Sequence, residues 1–287
     1  MTIKPPLIDA GALASGLASA APPIVVDVSF DLTDPKAGER SYREGHLPGA
    51  HYLHLDRDLA DHSAPSDGRF RGRHPLPARE AFAAVLGRLG VAPASRVVVY
   101  DRQGSVYAAR AWWMLLWAGH ADVAVLDGGL GAWVAWGGTL ATEPPTAHAG
   151  APYPLAVPLV QTIQADALQA ALGRVRLVDA RGAERFRGEV EPLDPVAGHI
   201  PGALNRPFKD NLDPATGHFL DAASLRAAFL PLLGGQAPGD VVHACGSGVS
   251  ACHNLLAMQA GGLGLSRLYP GSWSEWCADP ARPVARG

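Results

Sequence analysis

The chain has no run of 18 apolar residues; the longest apolar stretch, Ala111 to Gly119, is far too short to cross a bilayer. Its first residues hold one Lys at position 4 and an Ala/Leu stretch broken by Asp9, glycines and serines, with Pro22 and Pro23 close behind. That makes a poor secretory signal, so a cytoplasmic protein is expected. A basic excess is also missing. Lys plus Arg is 24 against 27 for Asp plus Glu. Split near Glu143, the two parts carry 13 and 11 basic residues against 15 and 12 acidic ones. Neither part would reward a nucleic-acid groove or an anionic membrane surface, so neither partner is expected. Only three cysteines occur, Cys245, Cys252 and Cys277, all near the end of the chain. An odd, crowded set is not a disulfide framework, and no CxxC or Cys/His zinc spacing accompanies it. His51 and His54 have metal-like spacing but no third ligand nearby, so no metal is expected.

What the 287 residues do contain is a repeat. Ile24 to Val28 is echoed by Val175 to Asp179, and His46-Leu-Pro-Gly-Ala50 by His199-Ile-Pro-Gly-Ala203. Val97 to Asp101 returns as Asp240 to Cys245, and Gly128-Gly-Leu-Gly-Ala-Trp133 as Gly271-Ser-Trp-Ser-Glu-Trp276. The offsets run from 143 to 153 residues in the same order, which indicates a duplicated domain. Short β-branched runs alternate with Ala/Leu-rich segments at helical spacing, the rhythm of a parallel sheet with crossover helices. Five prolines between Thr142 and Pro158 suggest a semi-rigid connector. The expected organisation is therefore an α/β domain over residues 1–141, a linker over 142–158 and a second α/β domain over 159–287.

Cys245 closes a strand, and Gly246-Ser247-Gly248-Val249-Ser250 leads from it into a helix. Glycines let the backbone curl so that N–H groups turn inward, and the helix start adds its positive end; both favour negative charge at the sulfur. A thiolate so held is a nucleophile. A phosphatase loop would place Arg where Ala251 stands, to fork onto the phosphoryl oxygens. A cysteine hydrolase would want a His base, and none adjoins the loop. Thioredoxin-type chemistry would need a second cysteine at Gly248. A compact anionic sulfur species, a persulfide, suits the loop best. Cys252, inside the helix, and Cys277 are expected to be inert core thiols. Asp27 and Asp179, and His46 and His199, recur in both repeats and are expected to support the fold.

On these motifs, together with Trp112-Trp113-Met114-Leu115 and Leu126-Asp-Gly-Gly129, the chain resembles the two-domain rhodanese-type sulfurtransferases over nearly its whole length. The resemblance implies tandem rhodanese-like domains, each a mainly parallel sheet flanked by helices, with the nucleophile kept only in the second. Asp101 takes the cysteine's place in the first. Thiosulfate-preferring members carry cationic side chains after the cysteine, whereas mercaptopyruvate-preferring members read Cys-Gly-Ser-Gly-Val-Thr. Here the loop differs from the latter only in Ser250. The resemblance further implies a relay of Ser247, His74 and Asp56 beside Cys245. It implies donor binding by Arg185 and by Gly246, Gly248, Val249, Ser250 and Ala251 of the loop, and no cofactor. A second donor-binding arginine is expected after Glu191-Pro192, where this chain has Leu193; Arg187, Arg206 or the Arg69–Arg73 loop are the candidate substitutes. A salt bridge to Asp179 is the alternative occupation for Arg185. Trp273 and Trp276 are expected beside the active loop, with one able to wall the donor pocket. The implied function is sulfur transfer from a small anionic donor, 3-mercaptopyruvate favoured, through a Cys245 persulfide to cyanide, a small thiol or reduced thioredoxin. Thiosulfate preference, or a persulfide-binding regulatory module, are the alternatives.

Overall fold

The computed structural model describes residues 3–63, 68–146 and 150–287. These form two compact units. Unit 1 comprises residues 1–61, 77–159 and 214–219; unit 2 comprises 62–76, 160–213 and 220–287. The segment that follows the edge strand of each repeat is thus counted with the other repeat's unit.

Unit 1 contains β1 (Leu7–Ile8), α1 (Ala10–Leu17), β2 (Ile24–Asp27), α2 (Ala37–Glu44), β3 (His51–Tyr52) and α3 (Leu55–Asp58). It continues with α4 (Arg79–Arg88), β4 (Val97–Tyr100), α5 (Val106–Ala118), β5 (Val123–Leu126) and α6 (Gly129–Ala135). Its strands are parallel, in the order β1-β5-β4-β2-β3. The central strand β4 is buried on both faces, which explains the unbroken Val97-Val98-Val99-Tyr100 run. The apolar helix α5 is buried all round except at Trp117, so its Trp112-Trp113-Met114-Leu115 run is a core helix. Residues within and just after the proline-rich segment bond onto this unit: Tyr153 N–H to Ala83 O, Ala156 N–H to Ala118 O and Leu159 N–H to Leu116 O.

Unit 2 contains α7 (Ala165–Ala171), β6 (Arg176–Asp179), α8 (Ala183–Arg187), β7 (Ala203–Asn205) and α9 (Ala222–Leu233). It ends with β8 (Val241–Ala244), α10 (Ser250–Ala260), β9 (Arg267–Leu268) and α11 (Ser272–Trp276). Its parallel sheet runs β7-β6-β8-β9, the order of unit 1 without the outer strand. A single parallel bridge, Thr162 to Leu268, stands where that strand would be. The sheet packs Leu177, Val242 and Ala244 against Tyr269, Trp273 and Trp276.

The repeated sequence motifs are repeated structures. His46 Nδ1 meets Tyr42 O at 2.8 Å and its ring stacks on Tyr42; His199 Nδ1 meets Phe186 O at 2.8 Å and stacks on Phe186. Each histidine backbone also pairs with a distant strand-like residue, Ala141 or Ala285. Asp27 Oδ1 accepts the Ser29 N–H at 2.8 Å, and Asp179 Oδ1 accepts the Arg181 N–H at 2.9 Å. All four residues hold turns in place, as expected of motifs kept in both copies.

The loop after β4 in unit 1 closes on itself. Asp101 is fully buried, and its two carboxyl oxygens accept four backbone N–H groups, from Gln103, Ser105, Tyr107 and Ala108, at 2.8–2.9 Å. Asp101→Ala should leave those donors buried and unpaired, at about 1–3 kcal/mol each before relaxation, while Asp101→Asn keeps part of the acceptor set. Urea denaturation should therefore rank the variants wild type, Asn, Ala. In unit 2, burial pushes the His243 imidazole down to about 3, so it stays neutral in the fold. Unfolded histidine takes up a proton near pH 6.5, so stability falls as pH drops below that value, by about 1.4 kcal/mol per pH unit. His243→Leu should show a shallower loss between pH 6.5 and pH 4 than wild type, read by urea denaturation across that range.

Candidate active site

Strand β8 delivers Cys245 at its carboxyl end, and the chain turns at once into α10. The sulfur accepts the Gly248 N–H at 3.1 Å. Gly248 sits at φ 77°, and a Cβ there would lie 2.2 Å from Pro270 O, so this turn requires glycine on two counts. Cys245 is 1% exposed, so only a slender group reaches the sulfur.

The start of α11 braces this loop from below. Trp273 N–H donates to Cys245 O at 3.0 Å and Ser274 N–H to Gly246 O at 2.9 Å. Ser272 Oγ accepts the Cys245 N–H at 3.0 Å, donates to Tyr269 O at 2.9 Å and lies 4.0 Å from the sulfur. Ser272 holds φ 54°, a left-handed conformation that the first repeat fills with Gly129 at φ 56°. A serine tolerated in a glycine position of the repeat was the one signal in the sequence that could have marked it. Trp273 and Trp276 are both fully buried, their indole N–H groups donating to Val196 O and Pro283 O. They support the loop as core residues; neither walls an open pocket, because neither has any surface to offer.

His74 reaches the loop from the 62–76 segment that is part of unit 2. Its Nδ1 stands 2.7 Å from Ser247 Oγ, and both side chains are buried. The neighbouring backbone is anchored: Arg73 N–H donates to Ser274 Oγ at 3.1 Å, and Gly72, at φ 96°, passes so close to Gly271 O that a Cβ would come within 2.7 Å. Of the expected relay, Ser247 and His74 are brought together. Asp56 lies on α3 in unit 1. Val249 and Ala251 are buried at the head of α10, and Ser250 is half-buried.

Next to Gly246 lies a run of alternating charges. Asp179 pairs with Arg181 at 2.7 Å, Arg181 with Glu191 at 3.4 Å, Glu191 with Arg185 at 2.6 Å, and Arg185 with Asp194 at 3.2 Å. Asp194 Oδ1 also pairs with Arg73 Nη1. The alternative partner expected for Arg185 is corrected here: Asp179 is taken by Arg181, two residues away, whose guanidinium also stacks over Trp273. Leu193 is 44% exposed and its N–H donates to Glu191 Oε1, so it supplies nothing to the loop. Arg187 is tied to Glu189 at the surface, and Arg206 to Asn211 and the Asp210 carbonyl. Arg181, Asp194 and Ser272 lie beside the candidate site and were not singled out from the sequence.

Cys252 is buried, its thiol donating to Gly248 O, and burial pushes the Cys277 thiol up to about 11. Both are core thiols. His54 turns its two ring nitrogens to Pro35 O and to the Asp56 N–H, and among the described residues no group of three His, Cys, Asp or Glu side chains is placed to hold a metal.

The family model for the rhodanese-like domain matches residues 10–135 and again 164–279. A Pseudomonas aeruginosa protein, named a probable 3-mercaptopyruvate sulfurtransferase, is 48% identical over 267 residues, 92% of each chain. SseB of Mycobacterium tuberculosis, whose name provisionally gives it as a thiosulfate sulfurtransferase, is 44% identical over 98% of this chain and 97% of its own. The crystal structure of SseA from Escherichia coli, titled as a 3-mercaptopyruvate sulfotransferase, superposes with a TM-score of 0.78 at 30% identity, covering 93% of this chain and 98% of that one.

The bracing by Ser272 generates a stability prediction. Ser272→Ala removes the acceptor for a buried N–H and keeps a Cβ at positive φ, so it should cost about 1–3 kcal/mol. Ser272→Gly loses the same acceptor but sheds the backbone strain, and should cost less. Urea denaturation of the two variants checks the order.

Proposed function

The chain belongs to the rhodanese family, and from that premise we propose that Cys245 carries a sulfur atom between a small anionic donor and a thiol or cyanide acceptor. The observation that carries the reading is the loop itself. The sulfur accepts a backbone N–H at the head of α10, in a loop whose counterpart in unit 1 wraps four N–H groups around a carboxyl group. The offset between repeats maps three of those donors onto Ser247, Val249 and Ala251; the fourth maps onto Cys252, whose N–H goes to Val249 O at 3.0 Å instead. A persulfide on Cys245 extends the side chain by one anionic atom, about where a carboxyl oxygen of Asp101 sits in the other loop. Such prepositioned donors stabilise the charge without reorganising.

With 3-mercaptopyruvate, the Cys245 thiolate attacks the donor sulfur and an S–S bond forms as the C–S bond breaks. The C–S electron pair passes to carbon, giving the enolate of pyruvate, and the proton of the donor thiol ends on that carbon. Ser247 and His74, in hydrogen-bond contact, are the proton carriers for this transfer. Asp56 is the third member of the relay implied by the resemblance. Arg185 takes the donor carboxylate, while the Gly246 to Ala251 backbone holds the sulfur. An acceptor thiolate, from a small thiol or reduced thioredoxin, then attacks the outer sulfur and restores the Cys245 thiolate. The loop side chains Ser247, Val249 and Ser250 are uncharged, which favours a monocarboxylate thiol over dianionic thiosulfate. The SseB likeness favours thiosulfate as the second reading. Three free buried thiols fit a reducing compartment, consistent with the cytoplasm. No helix among the described residues is long and apolar enough to cross a membrane.

Cys245→Ala should abolish sulfur transfer from either donor and remove the one-sulfur mass increment seen by intact-mass spectrometry after donor treatment. Retained turnover in that variant overturns the reading. His74→Asn should lower kcat with 3-mercaptopyruvate by about 10²–10⁴-fold, the usual range for losing general acid–base help. It should change the thiosulfate rate far less, because sulfite leaves without a carbon that needs a proton. Steady-state rates with both donors at matched acceptor measure this, and a 3-mercaptopyruvate preference in wild type separates the two donor readings.

A further inference from the structure

Resting on the donor chemistry just proposed, we infer that Arg73 is the second guanidinium of the donor clamp, paired with Arg185 through Asp194, and that it replaces the arginine missing at Leu193.

The geometry is specific about which atoms face the nucleophile. Asp194 offers Oδ1 to Arg73 Nη1 and Oδ2 to Arg185 Nη2. The nitrogens nearest Gly246 include the ones outside those pairs: a Cβ on Gly246 would meet Arg73 Nη2 at 2.9 Å and Arg185 Nη1 at 3.5 Å. One carboxylate therefore holds two guanidinium groups side by side with a terminal nitrogen of each turned toward the residue after Cys245. Arg185 Nε is in addition buried without a hydrogen-bond partner. The arginine side chains are 24% and 22% exposed, so a ligand can reach them, whereas Asp194 and Glu191 are each 3% exposed and act as fixed braces.

The closeness also accounts for Gly246. Any side chain there would push into the Arg73 guanidinium, so glycine at this position leaves room for the clamp. Arg73 is aimed by its backbone: its own N–H is bound by Ser274 and the residue before it presses on Gly271. An arginine contributed from the 62–76 segment satisfies the two-fork chemistry of a carboxylate without a cation at Leu193. The ligand class is a short monocarboxylate whose reactive atom lies within reach of the sulfur.

Alkylation tests this without turnover. Iodoacetate and iodoacetamide are near-isosteric, but only iodoacetate carries the carboxylate, so the ratio of their rates at Cys245, mapped by peptide mass spectrometry, reads the clamp. Arg73→Gln and Arg185→Gln should each lower that ratio on the order of tenfold or more, the usual worth of a charge-assisted pair. Leu193→Ala should leave it unchanged. Iodoacetamide alone reports whether each variant keeps a native, reactive thiol. If Arg73→Gln fails that control, Arg73→Lys decides, since it keeps the charge and loses the fork: a lowered ratio supports the clamp and a wild-type ratio overturns it. A ratio that falls only in Arg185→Gln, or in neither variant, also overturns it. Wild-type protein that shows the clamp in alkylation yet transfers no sulfur from either 3-mercaptopyruvate or thiosulfate would overturn the proposed function and leave the clamp standing.

Discussion

Everything at this site depends on a short loop that turns backbone N–H groups toward one point at the head of a helix. A strand ends there and the chain reverses; in unit 1 four N–H donors converge on one buried carboxyl group, and in unit 2 the Gly248 N–H points at the buried Cys245 sulfur. Such a place has to hold a hydrogen-bond acceptor or carry a heavy penalty for unpaired donors. The two repeats answer this requirement differently. Unit 1 plugs its loop permanently with the Asp101 carboxyl group. Unit 2 leaves the position to the Cys245 sulfur, which accepts the Gly248 N–H. Under the proposed function, chemistry in one copy and stability in the other are two uses of similar local hydrogen bonding.

A second constraint is charge balance. Three arginines and three carboxylates alternate beside the Cys245 loop, from Asp179 through Arg181, Glu191, Arg185 and Asp194 to Arg73. The run is neutral as a whole, so it can be largely buried without a net charge in a poorly solvated place. Neutral overall does not mean neutral everywhere. Because the carboxylates are more deeply buried than the outer arginines, the accessible side of the run is cationic, and that side faces Gly246. An anionic donor meets attraction at the rim of a site whose interior costs the fold no unpaired charge.

Much of this was legible in the sequence. The duplication, the parallel α/β rhythm and the Cys245 loop could be read because repeats, hydrophobic period and glycine chemistry are local properties. The structural roles of His46, His199, Asp27 and Asp179 followed from their presence in both copies. The meeting of Ser247 with His74 was reachable only through family resemblance, since the two residues are 173 positions apart. What sequence could not supply was partner choice among charges. Asp179 had one obvious arginine two residues on and another six residues on, and only the turn geometry selects Arg181. Asp194 carries no motif at all, and its importance comes from a loop more than a hundred residues away in the chain. Ser272 is an intermediate case: aligned with Gly129, it stands out as a side chain in a position built for none.

The membership of residues 62–76 in unit 2 and 214–219 in unit 1 has a further meaning for the history of the chain. Duplication ordinarily leaves two separable copies, either of which could be lost or moved elsewhere. Here each copy has lent a segment to the other. A chain severed in the proline-rich connector would yield a carboxyl-terminal fragment that has Cys245 yet lacks His74 and Arg73. Under the proposed function, neither half of such a severed chain would hold Cys245, His74 and Arg73 together.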